Sequence, residues 1–375
     1  MKVAIVHYWF ITRRGGEKVI ESLLKIFPEA DIYTLFYDEE SYGGHLKQQQ
    51  VCTSALDNKF FRKYYQKIFP LYPLAVKSLK LQGDYDLIIS SESGPAKGIK
   101  IHNDATHVCY VHSPMRYCWS HKNMYLQAVP VYARPIVGFL LERLRKWDEK
   151  TVDNVDHYLS NSLNVSQRIK TYYNRASDVV YPPIADELFA KNIMVNTVKE
   201  HYLSFGAITP YKKIDLLVET FNKNGKKLVI IGNGSEKKRL QAIANSNIVF
   251  KSIAHWKGIE NEIQKSKALL FPGEEDFGMI PLEVMAYGVP VIAYKKGGAL
   301  ETVVENRQNI KESSGLFFNE QTIASLEKEI TFFEAHENEF NPVWIKNHAK
   351  RFSEAQFLVH FKSKIASFLK GKREK

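Results

Sequence analysis

A chain of 375 residues, 45% hydrophobic and 25% charged, carries enough apolar material for two ordinary domains and excludes a disordered, collagen-like or low-complexity protein. Its 52 Lys and Arg against 41 Asp and Glu leave a net charge of +11, which suits an anionic partner: nucleic acid, an acidic membrane face or a phosphorylated small molecule. Cys52, Cys109 and Cys118 form neither a C-x-x-C pair nor a disulfide framework, and fit a reduced, cytoplasmic setting.

The opening run Lys2–His7 is too short for a signal-peptide core and reads as a buried strand. Further strand-like runs follow at Asp31–Phe36, Tyr85–Ser90, Thr106–His112, His157–Ser160 and Asp178–Tyr181. Helical patterns lie between them at Gly16–Phe27, Pro135–Asp153 and Val165–Tyr173. Pro182-Pro183 then stops regular structure and marks a domain boundary. A second series has strands at His201–Ala207, Lys227–Gly232, Ile248–Lys251, Ala268–Pro272, Pro290–Tyr294 and Gly315–Phe318, alternating with helical patterns. Such alternation predicts an α/β fold of two Rossmann-like, doubly wound domains, 1–183 and 184–355, with a helix at about 356–375 packing back on the first. Ligands of such sheets sit beyond the carboxyl ends of the strands, so the cleft between two such domains is the expected active site. No apolar stretch reaches about 18 residues, so no membrane span is expected, and Lys370–Lys375 reads as a solvated end.

The densest chemistry lies between Leu269 and Ala293. A strand ends at Phe271, an acidic turn with Gly273 and Gly278 follows, and a helix starts near Met279 with Pro281 tolerated in its first turn. Seven residues separate Glu275, at the strand's carboxyl end, from Glu283, one turn into the helix, so both can face one ligand. The amides of Phe277, Gly278 and Met279 are suited to an anion. A carboxylate pair beside such amides fits a sugar nucleotide; acids that merely cap a helix would look alike in isolation.

The stretch Glu275-Asp276-Phe277-Gly278-Met279-Ile280-Pro281-Leu282-Glu283, continuing into Ala286-Tyr287-Gly288-Val289-Pro290-Val291, resembles the E-x7-E motif of the retaining glycosyltransferases of family 4, which have the GT-B fold. The resemblance implies that Glu275 contacts the donor hexose and Glu283 the ribose, with Asp276 and the Phe277–Met279 amides also serving the donor. It extends over nearly the whole chain. Gly15-Gly16-Glu17 resembles the family's Gly-Gly turn at a helix start, near donor phosphates or acceptor. In Val111-His112-Ser113-Pro114-Met115-Arg116, His112 looks like the family's histidine beside the reacting sugar, with Arg116 in the phosphate or acceptor loop. Phe205–Asp215 resembles the segment whose Arg and Lys clamp the diphosphate, and Lys212 falls on the Lys. Ala207 departs from the usual Arg, which removes a bidentate phosphate partner; Lys213 and Arg239 are the candidates to compensate. Gly297-Gly298-Ala299-Leu300-Glu301, Gly315–Thr322 and Arg351–Glu354 continue the match as mainly architectural elements. No metal or other cofactor is implied, and Asp84-Tyr85-Asp86 reads as a turn rather than a metal-binding D-x-D.

From Asn58 to Gly83 the chain has no acidic residue, and Lys59–Phe69 mixes cations with aromatics. Residues 59–80 suit an anionic membrane surface, or equally a packed helix with solvated lysines. No nucleic-acid motif accompanies them, so nucleic acid is not an expected partner. The expectation is a cytoplasmic enzyme, peripheral on the inner face of the plasma membrane. It would move a hexose, first mannose from GDP-mannose, to a glycan or lipid-diphosphate-linked acceptor in bacterial surface polysaccharide (lipopolysaccharide) synthesis. A nucleotide-sugar 2-epimerase and a non-catalytic GT-B partner subunit are the alternatives, the latter favoured by Ala207.

Overall fold

A computed structural model describes residues 1–101, 104–193, 198–253 and 255–373. The chain divides into two compact units, Met1–Pro183 with the stretch from Phe357 onward, and Ile184–Gln356.

In the first unit seven parallel strands form one sheet: β1 (Val3–His7), β2 (Asp31–Thr34), β3 (Val51–Thr53), β4 (Leu87–Glu92), β5 (Thr106–Val111), β6 (His157–Ser160) and β7 (Asp178–Val179), in the order β3-β2-β1-β4-β5-β6-β7. Every residue of β1, β4 and β5 is buried, which explains their near-continuous apolar runs, since helices cover both faces of a parallel sheet. His7 at the end of β1 stands opposite Thr34 of β2 and Ser91 of β4. The strand order reverses between β1 and β4, which opens a crevice at their carboxyl ends. The sequence pattern ends the fourth strand at Ser90. The strand instead runs on through Ser91 and Glu92, which pair with Tyr110 and Val111 of β5.

From Phe357 onward the helix Glu354–Arg373 belongs to this unit. Phe357, Phe361 and Ile365 pack with Val3, Ile5 and Leu87, and Lys364 Nζ donates to Asp178 at 2.6 Å. The basic run also folds here, as helices Lys59–Lys63 and Tyr72–Ser78. Tyr72, Ala75 and Val76 are buried while Lys77 and Lys80 are exposed, so its inner face is core.

The second unit repeats the plan with six parallel strands: β8 (His201–Phe205), β9 (Leu228–Ile231), β10 (Ile248–Lys251), β11 (Ser266–Phe271), β12 (Val291–Tyr294) and β13 (Gly315–Phe318), ordered β10-β9-β8-β11-β12-β13. Its strand order reverses between β8 and β11. The expected α/β class with two Rossmann-like sheets holds. Among the described residues no helix is long and apolar enough to cross a membrane.

The C-terminal helix closes the first sheet, so Phe361→Ala is expected to destabilise that unit by about 3–5 kcal/mol, measured by urea unfolding. A loss below about 1 kcal/mol would show that the helix is dispensable to the core.

Candidate active site

In the second unit the strand β11 stops at Phe271 because Pro272 and Gly273 follow it. A Cβ on Gly273 would lie 3.0 Å from Lys212 Cα and from the Tyr211 carbonyl oxygen, so the missing side chain lets this loop lie against the Pro210–Lys212 turn after β8. That approach joins the two sequence-selected charges: Lys212 Nζ donates to Glu275 Oε1, both side chains being largely buried. The lysine also sits 5.3 Å from the Tyr211 ring centroid. Beside the pair is a recess of about 20 Å³ lined by Gly206, Ala207, Ile208, Lys212, Gly273 and Glu275, room for about one water.

The acidic loop is held from a second side. Gly298 donates its N–H to the Glu275 carbonyl at 2.8 Å, and a Cβ there would stand 2.2 Å from Phe277 Cα. So Gly297-Gly298, an architectural pair by its sequence, fixes the backbone that carries Glu275, Asp276 and Phe277. Gly278 adopts φ +85° and caps the short helix Met279–Met285, in which Glu283 is buried, as is Asp276 in the loop before it. Lys213, at φ +54°, starts the helix Ile214–Asn224. Arg239 is exposed and its Nε donates to Glu236 at 2.8 Å. Neither lines the recess beside Ala207.

In the first unit the sequence-selected residues gather at the crevice beside β1, β4 and β5. The helix Gly15–Ile26 begins at Gly15, and Glu17 Oε2 accepts from the Arg14 N–H at 2.9 Å. A Cβ on Gly16 would stand 2.6 Å from the Tyr8 hydroxyl, whose pKa is raised by burial and by the Glu17 carboxylate. His112 follows β5, and its N–H donates to the Glu92 carbonyl at 2.8 Å. Its half-buried ring is pushed down to about 3, first by burial and then by the His7 ring. Arg116 lies in the turn beyond, its carbonyl accepting from the His121 N–H at 2.8 Å.

Sequence reasoning missed the groups behind His112. Ser91 Oγ lies 2.8 Å from His112 Nε2 and 3.0 Å from His7 Nδ1. Missed too was a buried charge cluster. Lys97, wholly buried, pairs with Asp148 and donates its backbone N–H to Glu92 Oε2 at 2.9 Å. Asp148 also accepts from Trp119 Nε1 at 2.8 Å and from the Tyr173 hydroxyl at 2.9 Å. Burial pushes Glu92 up to about 7 and Lys97 down. Among the described residues no group of three or more His, Cys, Asp or Glu is placed to hold a metal ion.

Residues 186–352 match the family described as "Glycosyl transferases group 1". This unit is a group 1 glycosyltransferase domain. Among curated relatives, the alpha-1,3/1,6-mannosyltransferase ALG2 of Kluyveromyces lactis is 30% identical over 212 residues, covering 42% of each chain. A GDP-mannose-dependent alpha-mannosyltransferase of Mycobacterium tuberculosis is 29% identical over 113 residues, 30% of each chain. The match spans about two fifths of the length of the ALG2 proteins of K. lactis and Saccharomyces cerevisiae. Over 98% of this chain and all of the other, Anabaena HepE in complex with UDP superposes at TM-score 0.71 with 15% identity. Sucrose-phosphate synthase from Thermosynechococcus elongatus does so at 0.74, also with 15% identity, covering 99% of this chain and all of the other. At that identity these two likenesses concern the fold alone.

The glycosyltransferase domain needs a bare backbone at residue 298. Gly298→Ala is expected to push Phe277 away and cost roughly 1–3 kcal/mol by overpacking, read as a lowered melting temperature. A variant with wild-type melting would contradict this account of the loop.

Proposed function

We propose that this chain is a retaining hexosyltransferase that moves mannose from GDP-mannose to a glycan or lipid-diphosphate-linked acceptor in bacterial surface polysaccharide synthesis. The observation that carries the reading is the Lys212–Glu275 pair, with Glu283 buried one helical turn on, at the strand-order reversal of the group 1 domain. The mannosyltransferase names of the partial relatives support the sugar. HepE has also been solved in complex with UDP-glucose, which agrees with a sugar-nucleotide donor.

In this reading Glu275 accepts from a hexose hydroxyl, Glu283 from the ribose, and His112 orients the sugar. Lys212 leaves Glu275 for the diphosphate and offsets its growing charge, helped by the amides at Phe277–Met279 and Gly15–Gly16. The acceptor oxygen forms its bond to the anomeric carbon on the face from which the diphosphate departs. The departing phosphate oxygen takes the acceptor's proton. No enzyme nucleophile and no metal enters the step.

Melting in the presence of GDP, UDP, ADP, dTDP and their sugar conjugates tests the donor without an acceptor. Ligand at 100 Kd stabilises by about 2.7 kcal/mol, so a shift with GDP and GDP-mannose is expected. Glu275→Ala is expected to keep the fold and lose about 100-fold or more in transfer; undiminished turnover would sink the assignment. No shift with any nucleotide would favour the second reading, a non-catalytic partner subunit, for which Ala207 in the recess is the specific observation.

A lipid-linked acceptor also asks for a membrane surface. Val131, Tyr132, Ile136 and Phe139 are exposed around the start of the helix Arg134–Lys150. Arg143 sits 5.9 Å from the Phe139 ring centroid, and Arg143 and Lys146 are exposed further along. Phe60 and Leu74 are exposed among the lysines of 59–80. Apolar side chains bordered by cations suit an anionic bilayer. Sedimentation with phosphatidylcholine vesicles containing phosphatidylglycerol is expected to carry the protein down, and Tyr132→Ser with Phe139→Ser to release it. Equal binding by the double variant would remove this surface from the proposal.

A further inference from the structure

We propose that Glu17, His7 and Ser91 hold His112 in the tautomer with its proton on Nε2, which leaves Nδ1 as a hydrogen-bond acceptor for a hydroxyl of the bound sugar. The inference rests on the reading of His112 as the group that orients the hexose. It makes His7 and Ser91 positioning residues, because they act through His112.

The argument is a count of protons along a chain of four groups. Ser91 Oγ lies between two imidazole nitrogens, 3.0 Å from His7 Nδ1 and 2.8 Å from His112 Nε2. A hydroxyl has one proton, so Ser91 donates to at most one ring, and at least one of the two facing nitrogens must carry a hydrogen. Which way it turns is decided at the far side of His7. There Nε2 is buried without a hydrogen-bond partner, 3.7 Å from Glu17 Oε1. Glu17 is itself buried, and its other oxygen is anchored by the Arg14 N–H. A carboxylate that close attracts an N–H and repels a lone pair. The His7 proton therefore sits on Nε2 and the lone pair on Nδ1. Ser91 donates to that lone pair, so its oxygen accepts from His112 Nε2–H.

A second proton on His7 would reverse Ser91. Such a ring would be ion-paired with Glu17, and the nitrogen spectrum separates it from the singly protonated His7 that the proposal requires. His112 stays neutral because burial disfavours its charged form, so the lone pair on Nδ1 persists. A histidine set this way selects a donor group: it takes a neutral hexose through a hydroxyl and disfavours a deoxy sugar or a carboxylate at the same place.

Imidazole nitrogen spectra of the full chain labelled with 15N-histidine read the tautomer directly, with His112→Gln and His7→Gln used to assign the signals. The expected spectrum has His112 Nε2 as an N–H nitrogen and Nδ1 as a bare one. The opposite tautomer at His112, or a His7 protonated on both nitrogens, would overturn the proposal. Binding of GDP-mannose and of GDP tests the consequence. Ser91→Ala is expected to mix the His112 tautomers and weaken GDP-mannose by up to about ten-fold, with GDP unchanged and Ser91→Thr restoring both. A folded Ser91→Ala protein with the wild-type ratio of the two affinities would also overturn it. A His112→Ala protein with that same ratio would instead bring down the sugar-orienting reading, while the spectrum alone decides the tautomer.

Discussion

Backbone packed directly on backbone, at the carboxyl ends of β8, β9 and β11, is the constraint on which the Lys212–Glu275 site depends. A Cβ on Gly232 would stand 1.9 Å from the Gly206 carbonyl oxygen, and one on Gly234 would stand 2.1 Å from that of Ile208. Gly206 and Ile208 N–H groups reach across to Ile231 and Asn233, each at 2.9 Å. Gly273 lays the β11 loop on the same turn, and Gly298 closes it from the β12 side. With side chains in those gaps, Lys212 and Glu275 would be too far apart to pair. The glycines therefore do chemical work at one remove: they set the distance between two charges on separate loops.

The first unit reaches the same end by another route. Its crevice is backed by polar and charged groups that are taken out of water, and such burial is costly unless each group is paired. Lys97 is placed between Asp148 and Glu92, while Trp119 and Tyr173 complete the shell of Asp148. A buried ion pair is weak evidence of stability, because a packed apolar set often does as well. Its value here is positional. Glu92 ends β4, and its carbonyl accepts from the N–H groups of His112 and Ser113. The cluster holds the strand end that aims His112, and the His7–Ser91 pair holds the ring.

Much of this was legible in the sequence, for physical reasons that also mark the limits. Buried parallel strands read as apolar runs, so Gly315–Phe318 is bounded in the sequence where the strand lies, and the edge strand Ile248–Lys251 is bounded likewise although only Ile248 is buried. β3 was missed because it is a three-residue edge strand with no buried residue. The helix Pro342–Lys350 was also missed, although Asn341, whose side chain accepts from Val343 and Trp344, followed by Pro342 is a recognisable start. At the site, Glu275, Glu283 and Lys212 stand in compact motifs. The Lys97–Asp148 pair joins residues 51 positions apart on elements with their own periodicity, and no local pattern announces it. Ser91 was hidden for a similar reason: the sequence pattern ends the strand one residue before it, and only the register of β4 brings it beside His7.

Ala207 shows how these layers combine. Lys212 is the cationic side chain lining the recess, and Glu275 already neutralises it. An arginine at residue 207 would leave such a site net positive and hold a diphosphate by charge in both resting and reacting states. On the proposed reading, with alanine there, an arriving diphosphate would meet a paired lysine and would have to displace a carboxylate to win it. That exchange has a use if the displaced Glu275 finds a sugar hydroxyl at the same moment. A bare diphosphate would break the pair and offer the carboxylate nothing, whereas a sugar nucleotide would satisfy both halves. The departure from the family pattern is then compatible with a site that spends less on binding nucleotide and more on recognising the sugar attached to it.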